Sequence, residues 1–117
     1  MIAVIFEATP APGKWDEYLN IAAGLKPELS KIKGFVSIER YQSISHPEKV
    51  LSLSFWEDEE SIAAWRNVEL HRMAQHEGRI SVFADYHLRV ADVLRDYGMN
   101  ERAQAPHDSQ TSINKYK

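Results

Sequence analysis

Six side chains in the stretch SIAAWRNVELHRMAQHEGR, Ser61 to Arg79, are of types that do chemistry: the indole of Trp65, the imidazoles of His71 and His76, the carboxamide of Gln75, and the guanidinia of Arg66 and Arg72. An imidazole titrates near neutrality, so either histidine could take a proton from a bound molecule while the indole stacks on it. On an uninterrupted helix Trp65 and His76 stand about 20° apart in projection and could share one pocket wall, whereas His71 and His76 stand about 140° apart. The two imidazoles therefore cannot grip one metal from a single face, and no metal site is expected. Asn67 can act as a second cap. A break there, between Ser61–Arg66 and Val68–Gly78, would change the phase.

Two further candidates sit on strand-like runs. Glu7 sits near the end of IAVIFEA: either it reaches water or an arginine there, or it faces a pocket, where lost hydration would raise its pKa and let it serve as acid or base. Arg89 either binds an anionic oxygen of a substrate or pairs with an acid on a neighbouring strand. Trp65 has a plain alternative as a core aromatic, and His71 and His76 as neutral imidazoles bonded to backbone carbonyls. His87 lies opposite Tyr86 and Leu88 in the strand alternation, with either face open to it. His46, before Pro47, reads as a solvated turn residue, and His107 as incidental.

The elements that must position these groups follow from periodicity. Ile2, Val4 and Phe6 alternate with Ala3, Ile5 and Glu7 in a first strand over residues 2–8. TPAPGK is a loop, after which Trp15, Tyr18, Leu19, Ala22 and Leu25 recur at helical spacing, with Gly24 and Pro27 expected to end or kink the helix. Phe35–Ser43 is a second strand, carrying Val36 and Ile38 on one side and Phe35, Ser37, Glu39 and Tyr41 on the other. Lys49–Trp56 is a third, joined to the second by a short turn as a hairpin. Asp58 or Glu59 caps the helix of the opening stretch. Residues 80–94 form a last strand with a bulge near Ala91 and Asp92. Met99–Lys117 is polar, a tail either mobile in isolation or laid along a partner, so the domain is expected over 1–98 and the tail over 99–117.

Composition bounds the partners. The 117 residues are one domain's worth; 44% are hydrophobic and 26% charged, with 14 basic against 17 acidic residues and a net charge of -3. No basic cluster suits nucleic acid. The absence of cysteine excludes disulfides, zinc–thiolate sites, iron–sulfur clusters and thiol nucleophiles. The apolar run from Met1 to Phe6 is too short for a signal peptide or a membrane span, and a cytoplasmic location is expected by default.

The order β-α-β-β-α-β is that of a ferredoxin-like α+β fold with a four-stranded antiparallel sheet. Helices would cover the side bearing Leu51, Leu53 and Phe55. Phe35, Val50, Trp56 and Ile5 would then have nowhere to go within one copy, and burying such side chains is worth roughly 1.5–3 kcal/mol each. A homodimer packed sheet to sheet is the expected solution.

The segments SFWEDEESIAAWRNVELHRMAQHEGR and FADYHLRVADVLRDY resemble the antibiotic biosynthesis monooxygenase family of dimeric α+β barrels, over about residues 1–98. The resemblance implies a pocket between sheet and helices and oxygen chemistry of two kinds. One oxidises phenolic substrates with O₂ and no metal or flavin; the other degrades haem held by a helix histidine. Trp65 matches the helix tryptophan shared by both branches. Ten residues on, at the haem-ligand position, stands Gln75, with His76 one later; Glu7 falls at about the place of the haem branch's first-strand asparagine.

The leading expectation is an oxygenase without cofactor, acting with O₂ on a small aromatic or electron-rich molecule. Trp65, His71 and His76 would be its catalytic groups, and Glu7, Gln75 and Arg89 would contact substrate. Haem binding through His76 or His71 is the first alternative, and a non-catalytic small-molecule-binding dimer the second.

Overall fold

The computed structural model describes residues 1–75 and 82–109, with residues 70–75 described as helix backbone. The elements are β1 (Ile2–Pro10), α1 (Trp15–Leu29), β2 (Phe35–Gln42), β3 (Val50–Trp56), α2 (Glu59–Gln75) and β4 (Phe83–Asp92). The strands form one antiparallel sheet in the order β2-β3-β1-β4, the ferredoxin-like arrangement. Residue 80, the expected start of the last strand, and Gly78, the expected helix stop, lie outside the described residues.

Both helices pass through positions expected to interrupt them. α1 passes through Gly24 and Pro27 to Leu29. Leu29 is buried there, and Ser30 Oγ donates to the Pro27 carbonyl at 2.9 Å. Burial of the last turn outweighs the donor that proline lacks. α2 continues from Glu59 across Asn67 without a break. Asp58 caps it: its Oδ1 accepts from Ser61 N at 2.8 Å and from Ser61 Oγ at 2.7 Å.

The register assigns every side chain to a face. Ile2, Val4, Phe6 and Ala8 of β1 stand beside Trp56, Ser54, Ser52 and Val50 of β3. This is the helix side, because Tyr18 of α1 joins Ala8 and Val50 in the core, with Phe6, Trp15, Val82 and Phe83 packed around them. Val50 and Trp56 are therefore buried under the helices, Trp56 to 1% exposure, and do not face a second copy as expected. The row turned away from the helices is Leu51, Leu53 and Phe55, beside Glu7, Ile5 and Ala3.

Phe35 also changes sides. The register slips between Phe35 and Ser37, so an extra residue on β2 brings Phe35 onto the helix face beside Trp56, ring centroids 5.3 Å apart and edge-on. The Trp56 indole donates to Ser54 Oγ at 2.9 Å, satisfying its one polar atom inside the core. The irregularity expected near Ala91–Asp92 is absent, since both residues stay in register with β1, and the slip lies instead between Thr9 and Pro10.

Gly34 is required by position. Its φ of +95° is left-handed, and a Cβ there would collide with the Ser61 side chain. The glycine thus lets the start of β2 approach the capped end of α2, where Glu57 N donates to Gly34 O at 2.8 Å.

Beyond β4 the chain folds back on itself. Gly98 N donates to Glu101 O at 2.9 Å, Arg102 Nη1 to Gly98 O at 3.0 Å, and the Arg102 guanidinium lies 5.1 Å from the Tyr97 ring centre.

Candidate functional site

Glu69 is the polar side chain around which the helix-covered face gathers. It lies one turn after Trp65 on the same side of α2, and the Trp65 indole donates a hydrogen bond to its carboxylate. Loss of hydration pushes the Glu69 carboxyl above the usual carboxylate range; the indole hydrogen bond and the charge of Arg40 pull in the opposite direction without cancelling it. A carboxylate so placed is a stronger base than one in water.

Arg40 reaches this cluster from β2. Its Nε donates to the phenol of Tyr18 at 3.3 Å, and Tyr18 is buried at 6% exposure. Three elements, β2, α1 and α2, thus contribute a guanidinium, a phenol, and an indole–carboxyl pair.

Cross-strand pairing extends the site over the sheet. Arg40 stands beside Ser52, Ser52 beside Phe6, and Phe6 beside Leu88. The neighbouring row runs Ile38, Ser54, Val4, Val90. Along the Arg40 row polarity falls from β2 toward β4, where Tyr86, Leu88 and Val90 are 60%, 51% and 48% exposed on the helix side. Phe6 meets Phe83 and Tyr86 with ring centroids 5.4 and 5.5 Å away, giving that end an aromatic wall.

Of the residues singled out by sequence, Trp65 is in the cluster. Glu7 and Arg89 are not: they lie on the opposite face and pair with each other, Arg89 Nη1 to Glu7 Oε1 at 3.1 Å, both half exposed. His87 is exposed on that same face, level with Glu7. His71 and Gln75 are on α2, with side chains outside the described residues, and His76 lies outside them altogether. Glu69 and Arg40 are not marked by residue type, because an acid on a helix and an arginine on a strand are ordinary surface residues. The signal was the four-residue step from Trp65 to Glu69.

The described side chains present no imidazole to this face, since His46 is in the β2–β3 turn and His107 is in the tail. They do not make a haem-ligating set. Among the described residues no group of three or more His, Cys, Asp or Glu is arranged to hold a metal ion, and no helix is long and apolar enough to cross a membrane.

A ferredoxin-like sheet with its helices on one face and a polar cluster among them defines a small α+β protein. The chain belongs to the antibiotic biosynthesis monooxygenase family, whose pattern matches residues 1–77. It is similar to the jasmonate monooxygenase ABM of Pyricularia oryzae, with 52% identity over 101 residues, 86% of this chain and 47% of that protein. The chain thus spans about half the length of that relative. Among solved structures, the haem degrader MhuD of Mycobacterium tuberculosis, with two haems in its active site, superposes with a TM-score of 0.63 at 21% identity, over 84% of this chain and all of that one. A conserved protein from Methanosarcina mazei Go1 superposes at 0.62 with 22% identity, over 76% and 88% of the two chains. These two likenesses are of fold.

Proposed function

We propose that the protein is a cofactor-independent monooxygenase acting on a small aromatic or electron-rich organic molecule held between the sheet and α2. The observation that carries this is the half-buried Trp65–Glu69 pair beside Arg40 and Tyr18: a partly desolvated base, a flat indole and a cation on one face. Glu69 accepts a proton from the substrate, Trp65 offers a stacking surface, and Arg40 draws an anionic substrate to the face. For an activated methylene the balance is CH₂ + O₂ → C=O + H₂O. One oxygen atom enters the substrate, the other leaves as water with the two hydrogens, and the substrate supplies the electrons.

Oxygen uptake by the purified chain with a panel of phenols, activated methylene compounds and jasmonate tests this. The expected result is substrate-dependent uptake, with one labelled atom from ¹⁸O₂ in the product and a roughly 100-fold or greater loss in Glu69→Gln. No uptake across the panel would refute it, and a hemin titration in parallel, giving a shifted Soret band, would favour the haem alternative.

Assembly belongs to the same reading. The row Ile5, Leu51, Leu53 and Phe55 on the face away from the helices packs against a second copy of the chain, as a homodimer with sheets face to face.

A further inference from the structure

The cation of the site has a geometry more specific than charge balance requires. Tyr18 engages Arg40 through Nε, which leaves the Nη1–Nη2 edge as a parallel pair of donors, with Glu69 the described acid near enough to feel the charge. That edge is the part of arginine that matches a carboxylate, two N–H groups to two oxygens. Arg40 is also half buried, and withdrawal from water strengthens its attraction for an anion.

From Arg40 the covered face continues in a straight row through Ser52 and Phe6 to Leu88. Three interstrand steps of about 4.8 Å give the row a length of roughly 14 Å. Its far end is apolar and open, with Leu88, Val90 and Tyr86 exposed. A molecule matched to this row has an acid at one end and an apolar body reaching across the strands. The jasmonate named for the Pyricularia oryzae relative is itself a small organic carboxylate.

We infer that Arg40, held by Tyr18, is a carboxylate anchor, and that the substrate is a small organic acid lying across the sheet with its carboxylate on the Nη edge and its apolar body over Phe6 and Leu88. This rests on the reading of the helix-covered face as the substrate site. Tyr18 is a positioning residue, acting through the guanidinium it orients.

The test is equilibrium binding to the full chain under anaerobic conditions, with jasmonate and its methyl ester as probes. Arg40→Leu is expected to weaken jasmonate binding by roughly ten- to a hundredfold while leaving the ester within about twofold of wild type. Arg40→Lys should fall between the two, and Tyr18→Phe should show a smaller loss confined to the acid. Leu88→Glu should weaken acid and ester alike. Equal losses for acid and ester in Arg40→Leu and Arg40→Lys would overturn the anchor, as would unchanged acid affinity or no binding of either probe. Binding is read without turnover, so the two readings separate. Acid-selective binding without oxygen uptake leaves the anchor standing and removes the monooxygenase, and uptake with neutral substrates only does the reverse.

Discussion

Glu69 gives the site a dependence on pH that runs opposite to that of most paired carboxylates. Its carboxyl titrates above the usual range because burial disfavours the charge. The folded state therefore holds this proton more tightly than the unfolded chain, and ionisation works against the fold. The Glu69 contribution is most favourable below the ordinary glutamate value and declines as pH rises toward the raised one. Glutamine does not titrate, so the melting temperature of wild type relative to Glu69→Gln should fall through that window and then level off. A difference that stays flat, or that moves in favour of wild type, would contradict the assigned burial. Activity follows the same titration with the other sign. A base works deprotonated, so kcat/KM should rise with pH through a value above the ordinary carboxylate range, and the rise should vanish in Glu69→Gln.

The elements were legible where one period dominates. Alternation marked all four strands, and the recurrence of Trp15, Tyr18, Ala22 and Leu25 marked α1. Periodicity shows that β3 has two rows but not which one the helices cover. The wholly apolar row, Leu51, Leu53 and Phe55, was the natural choice for the covered side, yet the row under the helices contains Ser52 and Ser54. Small hydroxyl side chains take up less of the space between sheet and helix than a row of leucines would. The extra residue near Val36 could not be foreseen from alternation because it resets the parity of Phe35 alone.

The junction of β2 with α2 is testable at this same scale. Gly34→Ala must place a left-handed alanine against Ser61. The backbone term alone is about 1–2 kcal/mol, and urea unfolding should show at least that loss. Trp56→Ala removes the largest fully buried side chain among the described residues and should lower stability by about 3–5 kcal/mol. Asp58 behaves as an ordinary cap: its hydrogen bonds to Ser61 hold its pKa below the usual value. Its contribution is present above the ordinary aspartate pKa and is lost as pH falls through the lowered one.

For the whole molecule, the face away from the helices is apolar at its centre, with Ile5, Leu51, Leu53 and Phe55, and polar at its margins, with the Glu7–Arg89 pair and the Tyr41–Glu39 hydrogen bond of 3.0 Å. A greasy centre with a polar rim is the anatomy of an interface between chains. Sedimentation at micromolar concentration should give a dimer for wild type and a monomer for Leu53→Lys. A wild-type monomer would remove the proposed pairing of sheets. The charge change lies on the opposite side from Arg40 and Glu69, so ligand binding by the monomeric variant would report whether the proposed site needs its twin.

The position of β1 between β3 and β4 governs how the chain can be made. Its first residues pair with the last of β4, Ile2 with Asp92, and Val93 N donates to Met1 O at 3.0 Å. A nascent chain halted before β4 emerges carries β1 with one ladder unmade and its edge open to strangers. Folding must wait for contacts about ninety residues apart in sequence, which slows closure. Ribosome-bound chains ending before residue 83 should be captured by chaperones and cut readily by protease, and resistance should appear only after β4 has cleared the exit tunnel.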